Sequence, residues 1–165
     1  MLVSIITPCY NSKNTLNSTI ESVKSQDYKN IEHIVIDGGS TDGTLDILKS
    51  NSSISNWVSE SDNGIYDAIN KGIKMAKGEI IGILNSDDFY HRSDSVSILI
   101  RALQSDKSIS FVFADLLFVS NKNSSIVKRY YSSRLFHPRF LRFGLMPAHP
   151  TFFTYKKNYK EFGLY

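Results

Sequence analysis

Apolar residues in the first ninety positions form short runs that are separated by stretches with helical spacing. The runs at residues 2–6, 31–36 and 80–84 predict strands, and a shorter strand is predicted over 56–60. Apolar side chains three or four positions apart predict helices from 12 to 26, after 44, and from 65 to 76. A strand, a helix and a strand in this order form a βαβ unit, which requires parallel pairing. The front of the chain is therefore predicted to be an α/β fold, with a mostly parallel sheet flanked by helices.

The pattern loosens after residue 88. A helix is predicted over the apolar positions from 96 to 103, followed by a long strand over 111–119. A turn at 121–125 and a hairpin partner over 126–131 come next, and a last strand is predicted over 151–155. These elements predict an antiparallel addition to the parallel front. We therefore divide the chain into a core, residues 1–115, and a second region, residues 116–165.

Length and composition narrow the class of protein. The chain has 165 residues, 41% hydrophobic and 21% charged, which is ordinary for a globular fold. No apolar run reaches membrane-spanning length, and the run at 2–6 is too short for a signal peptide. Cys9 is the single cysteine, which excludes an intrachain disulfide and a multi-cysteine zinc site. These features predict a cytoplasmic protein in which Cys9 is a small buried residue.

The net charge of +3 conceals an asymmetry between the two regions. Residues 1–115 contain 15 acids and 10 bases, whereas residues 116–160 contain nine bases and no acid. The segment 128–143 places five of these bases among aromatic and apolar residues, and it suits either a solvated face or an anionic surface. We favour contact with the inner face of a membrane or with a lipid-linked diphosphate. No nucleic-acid-binding motif accompanies the bases, so a nucleic-acid partner is not expected. The five bases are Lys128, Arg129, Arg134, Arg139 and Arg142.

Two adjacent carboxylates, Asp87 and Asp88, follow the apolar run at 80–84. Charge at the end of a buried strand is costly unless a cation or strong hydrogen-bond donors face it. A divalent cation such as Mg²⁺ or Mn²⁺ fits oxygen ligands of this kind and takes further oxygens from a bound phosphate. The pair by itself is also compatible with a solvated turn.

The predicted topology brings these acids close to other strand ends. Parallel strands end at the same edge of a sheet, so residues 7–11, Asp37 and the region of Asp62 should lie near Asp87 and Asp88. This cluster offers the ring of Tyr10, a carboxylate for base N–H groups and an acidic pair for a metal. The glycines after Asp37 fit neither the dinucleotide nor the Walker phosphate motif. The cluster would nevertheless suit a nucleoside diphosphate.

Five motifs in register carry a resemblance to a known family. They are TPCYN at 7–11, DGGSTDGT at 37–44, DNGIYDAINKG at 62–72, AKG at 76–78 and LNSDD at 84–88. With them the chain resembles the family-2 glycosyltransferases, inverting enzymes of the GT-A fold that take sugars from nucleotide donors. The match covers about the first 115 residues, and MPAHPTFF at 146–153 extends it weakly.

The resemblance implies a role for each matching residue. Thr7 and Tyr10 would contact the nucleobase, Asp37 would accept from its hydrogen-bonding edge, and Asp87 and Asp88 would bind Mn²⁺ or Mg²⁺, with Asp88 the more direct ligand. The implied donor is a nucleoside diphosphate sugar, with a UDP-sugar favoured, and the implied acceptor is a glycan or a lipid-linked glycan in surface polysaccharide assembly. The residues implied for donor binding are Thr7, Pro8, Tyr10, Asn11, Asp37, Asp62, Asn70, Lys71, Asn85 and Asp87.

The chain departs from the family pattern at the catalytic base. That base is normally an Asp after a stretch like 146–153, whereas Glu161 is the only acid after Asp115 and is expected on the surface. We therefore expect the base beyond Tyr165 and an incomplete acceptor side. Asp115 and His149 are acceptor-side candidates, although Asp115 suits a strand-end turn better and His149 equally suits a packed loop.

The sequence is compatible with two main functions. The first is a metal-dependent glycosyltransferase, and the second is a donor-binding module without activity of its own. A nucleotidyltransferase on a similar sheet is a third reading, but the sequence lacks a recognisable phosphate loop for it.

Overall fold

The computed structural model describes residues 1–120, 123–134, 136–144 and 146–165, with His149 described by its backbone alone. The strands are β1 (Val3–Cys9), β2 (Ile31–Asp37), β3 (Asn56–Ser59), β4 (Ile80–Ile83), β5 (Phe111–Val112), β6 (Leu116–Ser120), β7 (Asn123–Tyr131) and β8 (Phe153–Tyr155). The α-helices are α1 (Leu16–Lys24), α2 (Thr44–Ser50), α3 (Ile65–Met75), α4 (Ser95–Gln104) and α5 (Lys156–Phe162). Short 3₁₀ helices cover Pro138–Phe143 and His149–Thr151.

The main sheet has the strand order β3-β2-β1-β4-β8-β5. The first four of these strands are parallel, and Val3 of β1 pairs with Ile31 of β2 on one side and with Ile80 of β4 on the other. The prediction of a mostly parallel α/β sheet is confirmed. Its consequence is that β1, β2, β3 and β4 all end at one edge of the sheet.

Helices cover both faces of this sheet. Ile69 and Ile73 of α3 pack with Ile6 on one face, whereas α1, α2 and α4 contribute the buried side chains of the other face. Every residue of β1 is consequently buried, including its polar ones. Burial on both faces explains why the inner strands are continuous apolar runs rather than alternating ones.

The last predicted strand, β8, joins the main sheet between β4 and β5 and runs antiparallel to both. Phe153 pairs with Gly82 and is fully buried. A Cβ atom at Gly82 would lie 2.5 Å from the Phe153 ring, so glycine is the residue that leaves room for it. The helix α5, which follows β8 directly, was not predicted.

The prediction of one strand over residues 111–119 is wrong. β5 ends at Val112, and the chain enters the separate β6–β7 sheet after residue 115. Two hydrogen bonds stabilise the segment between β5 and β6: Ala114 N donates to Thr151 Oγ1 at 2.8 Å, and Ser133 N donates to Asp115 Oδ1 at 2.7 Å. The antiparallel pairing of β6 with β7 is confirmed. Residues 121 and 122 of the predicted turn lie outside the described residues, and residues 123–125, also predicted as turn, belong to β7 instead.

Candidate functional site

A cleft of about 710 Å³ opens at the carboxyl ends of the parallel strands. Residues after β1, β2, β3 and β4 contribute to its walls, and the start of α3 completes them. Ligands bind at this edge in open α/β sheets, because the loops that follow the strands converge there. The lining residues are Pro8, Cys9, Tyr10, Gly38, Ser61, Asp62, Gly64, Ile65, Ala68, Asn85, Ser86 and Asp87.

The loop after β1 presents the ring of Tyr10, which is 64% exposed, to this cleft. The next residue, Asn11, has a φ of 50°, a conformation that Asn tolerates better than most residues. Asn11 N donates to Ser40 Oγ at 2.7 Å, and Thr41 N donates to Asn11 Oδ1 at 2.9 Å. Asn11 therefore ties the Tyr10 loop to the loop after β2 and lies beside the cleft rather than in its lining.

The carboxylate of Asp37 is the centre of the loop after β2. Its Oδ2 accepts from Ser59 Oγ at 2.7 Å, from Ser40 N at 3.0 Å and from Gly39 N at 3.2 Å. Its Oδ1 accepts from Ser40 Oγ and from Cys9 Sγ. Burial would raise the pKa of this carboxyl, but the donated hydrogen bonds outweigh burial and keep the pKa below its ordinary value.

Asp37 has no exposed surface in this conformation, which departs from the expectation that it accepts from a nucleobase edge. Its five donors instead fix residues 38–40 and couple the ends of β1, β2 and β3. Cys9 is buried as expected, and burial raises the pKa of its thiol.

Thr7 lies in the interior rather than in the cleft. Its side chain is fully buried, and Oγ1 is 3.0 Å from Nε2 of His33 on the neighbouring strand. Burial lowers the pKa of His33 to about 4, so the ring is neutral near pH 7. Pro8, one residue further along β1, does line the cleft.

Asp62 forms the wall that follows β3, as expected. Its Oδ1 accepts from Gly64 N at 2.9 Å, which fixes the turn before α3. A Cβ atom at Gly38 would lie 2.7 Å from Asp62 Oδ2. The loops after β2 and β3 therefore approach closely only because residue 38 is glycine.

The structure does not bring Asn70 and Lys71 into the cleft lining. Lys71 Nζ lies 2.9 Å from Glu60 and 3.4 Å from Asp67, and it donates to the carbonyl of Ser61 at 3.3 Å. Lys71 thus ties the loop after β3 to α3. The side chain of Asn70 is hydrogen-bonded to the backbone of Tyr165.

The acidic motif after β4 forms a compact turn at the cleft. Asp88 N donates to the carbonyl of Asn85 at 3.0 Å, and Asn85 Nδ2 donates to Asp88 Oδ2 at 3.1 Å. Thr19 Oγ1 of α1 donates to the carbonyls of Ser86 and Asp88 at 3.0 and 2.7 Å. Asn85 and Asp87 line the cleft, and Asp87 is exposed, whereas Asp88, expected as the more direct metal ligand, is half-buried and is not among the lining residues.

Asp115, one of the two acceptor-side candidates, is not among the residues that line the cleft. Asp115 accepts from Ser133 N and from the Tyr130 hydroxyl, and the latter bond is the main reason that the pKa of this carboxyl is lowered. This matches the strand-end turn favoured above. His149 begins a 3₁₀ helix before β8, and its side chain lies outside the described part of the structure. Glu161 is exposed on α5, as expected.

Some lining residues were not identified from the sequence. The apolar spacing of residues 65–76 predicted only a helix, yet Ile65 and Ala68 line the cleft. Gly38 and Gly64 lie in motifs that had been recognised, and their close approach to Asp62 was the missing information.

Comparison with known proteins adds independent findings. A sequence model of the family described as "Glycosyl transferase family 2" matches residues 4–162. The Escherichia coli UDP-Glc:alpha-D-GlcNAc-diphosphoundecaprenol beta-1,3-glucosyltransferase WfaP is 35% identical over 148 residues, which are 88% of this chain and 55% of that protein. An uncharacterized glycosyltransferase of Mycobacterium tuberculosis, Rv1514c, is 40% identical over 110 residues, 66% of this chain and 42% of that protein. The chain therefore spans about half the length of these curated relatives.

Solved structures with the same fold are also found. S. aureus TarS 1-349 in complex with UDP-GlcNAc superposes with a TM-score of 0.76 at 21% identity, covering 98% of this chain and 47% of the TarS 1-349 chain. The Pyrobaculum calidifontis mannosyltransferase PcManGT in complex with GDP-Man and Mn²⁺ gives 0.63 at 24% identity, covering 74% and 37%. At these identities the likeness shows the fold, and it confirms the expected GT-A type.

Proposed function

This chain belongs to glycosyltransferase family 2, and from that premise we propose that its cleft binds the nucleotide part of a sugar donor for transfer to an acceptor. The observation that carries the proposal is the convergence of an exposed aromatic ring, Tyr10, and residues 85–87 of the acidic turn in one cleft. The ring suits a stacked base, and the turn lies where a diphosphate would need neutralisation.

The acidic turn fits a divalent ion that is shared with the donor. Asp87 is exposed in the cleft and Asp88 adjoins it, whereas the described residues contain no group of three His, Cys, Asp or Glu side chains suited to a metal. Mg²⁺ and Mn²⁺ sites of one or two carboxylates normally take their remaining ligands from phosphate and water. An ion bound by Asp88 and Asp87 would neutralise charge on the leaving diphosphate. The Mn²⁺ bound to PcManGT supports this assignment.

We further propose a UDP-sugar as the donor and a lipid-linked glycan as the acceptor. WfaP is named for a UDP-glucose donor and a diphosphoundecaprenol-linked acceptor, and TarS was solved with UDP-GlcNAc. The lipid-linked acceptor in the name of WfaP agrees with the expectation of surface polysaccharide assembly. The exposed bases of segment 128–143 suit the anionic head group of such an acceptor and the membrane surface that carries it. In the described residues, no helix combines the length and the apolar character needed to cross a membrane.

The proposed transfer is a single displacement with inversion. The acceptor hydroxyl attacks the anomeric carbon as the bond to the diphosphate breaks, and a carboxylate base takes its proton. Asp62 and Asp87 are the carboxylates of the described chain that line the cleft, and both have roles in the donor site. We assign the base to neither of them.

The proposal is tested by titrating UDP into the chain by calorimetry, with and without Mn²⁺. We expect Mn²⁺-dependent binding, and we expect Asp88→Asn to weaken it at least about ten-fold, because the diphosphate then loses its bridging ion. Asp106→Asn is the matched control, since it removes an exposed carboxylate in the loop between α4 and β5. Equal UDP affinity for the wild type and Asp88→Asn would contradict the metal assignment.

Turnover separates the enzyme from the donor-binding module. UDP release from UDP-glucose and UDP-GlcNAc is followed with Mn²⁺, with and without lipid-linked acceptors. Release that depends on the acceptor supports the transferase. Mn²⁺-dependent binding without release across a broad acceptor panel supports the module. A crystal grown with Mn²⁺ and UDP that leaves this cleft empty would refute both.

A further inference from the structure

Two tyrosine rings stack next to the cleft. Tyr66 in the first turn of α3 and Tyr165 have ring centroids 5.7 Å apart and planes inclined by 24°. Both rings remain accessible, since Tyr66 is 60% and Tyr165 54% exposed. We call this pair the tyrosine platform.

The platform is held in place by polar contacts that a chance surface stack would not need. Asn70 Nδ2 donates to the carbonyl of Tyr165 at 2.8 Å, and Tyr165 N donates to Asn70 Oδ1 at 3.1 Å. Asn70 lies one helical turn after Tyr66, so both partners of Tyr165 share one face of α3. The hydroxyl of Tyr159 lies 3.4 Å from that of Tyr165, and Tyr159 packs against the core beside α3. Tyr165 is thus fixed from two sides.

The platform adjoins residues of α3 that line the cleft. Ile65, the residue before Tyr66, lines the cleft and is itself half exposed. Ala68, within the same turn of α3, also lines it. Tyr66 itself is not among the residues that line the cleft, and it lies beside them in the first turn of α3. Lys71 and Asp67 on the same helix are paired with each other.

We propose that the tyrosine platform is a subsite for a pyranose ring. The face of an aromatic ring carries negative charge density and attracts polarised C–H groups, which one face of a pyranose supplies. The choice of a sugar rests on the proposed function. The sugar belongs either to the donor or to the acceptor.

The experiment uses the full 165-residue chain with Tyr66→Ala, with Tyr66→Phe, which keeps the ring, and with Phe162→Ala as control. Phe162 is an aromatic residue of α5 that is 78% exposed. One arm measures UDP and UDP-GlcNAc binding by calorimetry with Mn²⁺. The other measures methyl β-D-glucopyranoside binding by saturation-transfer NMR, with and without UDP. Stacking of this strength corresponds to about a three- to ten-fold change in affinity.

If the donor sugar occupies the platform, Tyr66→Ala lowers the affinity for UDP-GlcNAc about three- to ten-fold and leaves the affinity for UDP unchanged. If the acceptor sugar occupies it, both nucleotides keep their affinity and the glycoside binds three- to ten-fold more weakly. Tyr66→Phe and Phe162→Ala should stay within about two-fold of the wild type in either case. The inference is overturned if Tyr66→Ala changes neither arm, or if Phe162→Ala changes them equally.

The two proposals fail separately in this design. A wild type that binds UDP but shows no sugar effect of Tyr66 retains the proposed function and loses the platform. A wild type that binds no UDP but binds the glycoside through Tyr66 retains the platform and loses the proposed function. If the wild type binds neither UDP nor the glycoside, both proposals are refuted.

Discussion

Replacing Asp37 with Asn tests whether a buried carboxylate organises the edge of the sheet at which the cleft lies. The substitution keeps the size of the side chain and removes its charge. Asp37 accepts from five donors, three at Oδ2 and two at Oδ1. An amide can replace only one of these oxygens with oxygen, so its NH₂ group must occupy the other position.

The less costly orientation places the NH₂ group at the Oδ1 position. Ser40 Oγ can then rotate and accept, and the weak contact from Cys9 is lost. The three donors at Oδ2 keep an acceptor, but a neutral one, and a bond to a neutral group contributes about 1 kcal/mol less than one to a charged group. The total is about 3 kcal/mol, from which the avoided desolvation of a charge recovers a part. We expect Asp37→Asn to lower the free energy of unfolding by about 2–3 kcal/mol.

Urea unfolding at pH 7 measures this change. Trp57 is the single tryptophan, and it lies on β3, which pairs with the strand that carries Asp37, so its fluorescence reports on this edge. The control is Asp46→Asn on α2, where the carboxylate is exposed and the change should stay within about 0.5 kcal/mol. An Asp37→Asn protein as stable as the wild type would refute the reasoning.

The pH dependence gives a second readout with a defined sign. The pKa of Asp37 is lower in the folded than in the unfolded chain, so the folded state binds its proton less readily. The contribution of the charge is complete above the unfolded pKa of about 4 and is lost as the pH falls through the folded pKa. The difference between the wild type and Asp37→Asn should therefore be constant from pH 5 to 8 and shrink below about pH 4. A difference that grew on acidification would contradict the assignment.

Two further predictions concern ligand surfaces. Tyr10→Ala should lower the affinity for UDP about five-fold or more in calorimetry, because a base stacked on an aromatic ring gains about 1–3 kcal/mol. Tyr10→Phe should match the wild type. Equal UDP affinity of all three proteins would exclude stacking. In sedimentation with vesicles, Arg139→Ala with Arg142→Ala should reduce binding to anionic lipid by about thirty-fold, at about 1 kcal/mol for each charge. Phe143→Ala should reduce it further, since this ring is 78% exposed on the same 3₁₀ helix. Binding that is equal for neutral and anionic vesicles would rule out the membrane contact.

Much of the fold and part of the site followed from local patterns in the sequence. Apolar runs and helical spacing predicted β1 to β4 and the helices between them, because both faces of a parallel sheet must be covered by apolar side chains. The same topology predicted that Tyr10, Asp62 and Asp87 would meet at one edge, and all three line the cleft. The five motifs also predicted the family that the family model confirms.

The sequence could not decide how side chains at strand ends divide between the interior and the cleft. Thr7 and Asp37 lie at strand ends, as Pro8 and Tyr10 do. The pleat of β1 nevertheless turns Thr7 into the interior, and the hydrogen-bond donors around Asp37 hold its carboxylate there. Those donors lie up to 28 residues from Asp37 in the chain, so no local pattern contains them.

Only the tertiary structure decided the long-range contacts. β8 enters the main sheet beside β4 because Gly82 leaves room for the ring of Phe153, a contact between residues 71 positions apart. The strand predicted over 111–119 breaks because Thr151 and Ser133 hydrogen-bond to the chain at 114 and 115. Likewise Asn70, expected at the donor, instead binds the backbone of Tyr165. Periodicity reports which face of an element is apolar, whereas the partner of each polar group depends on which distant segments the packed core brings together.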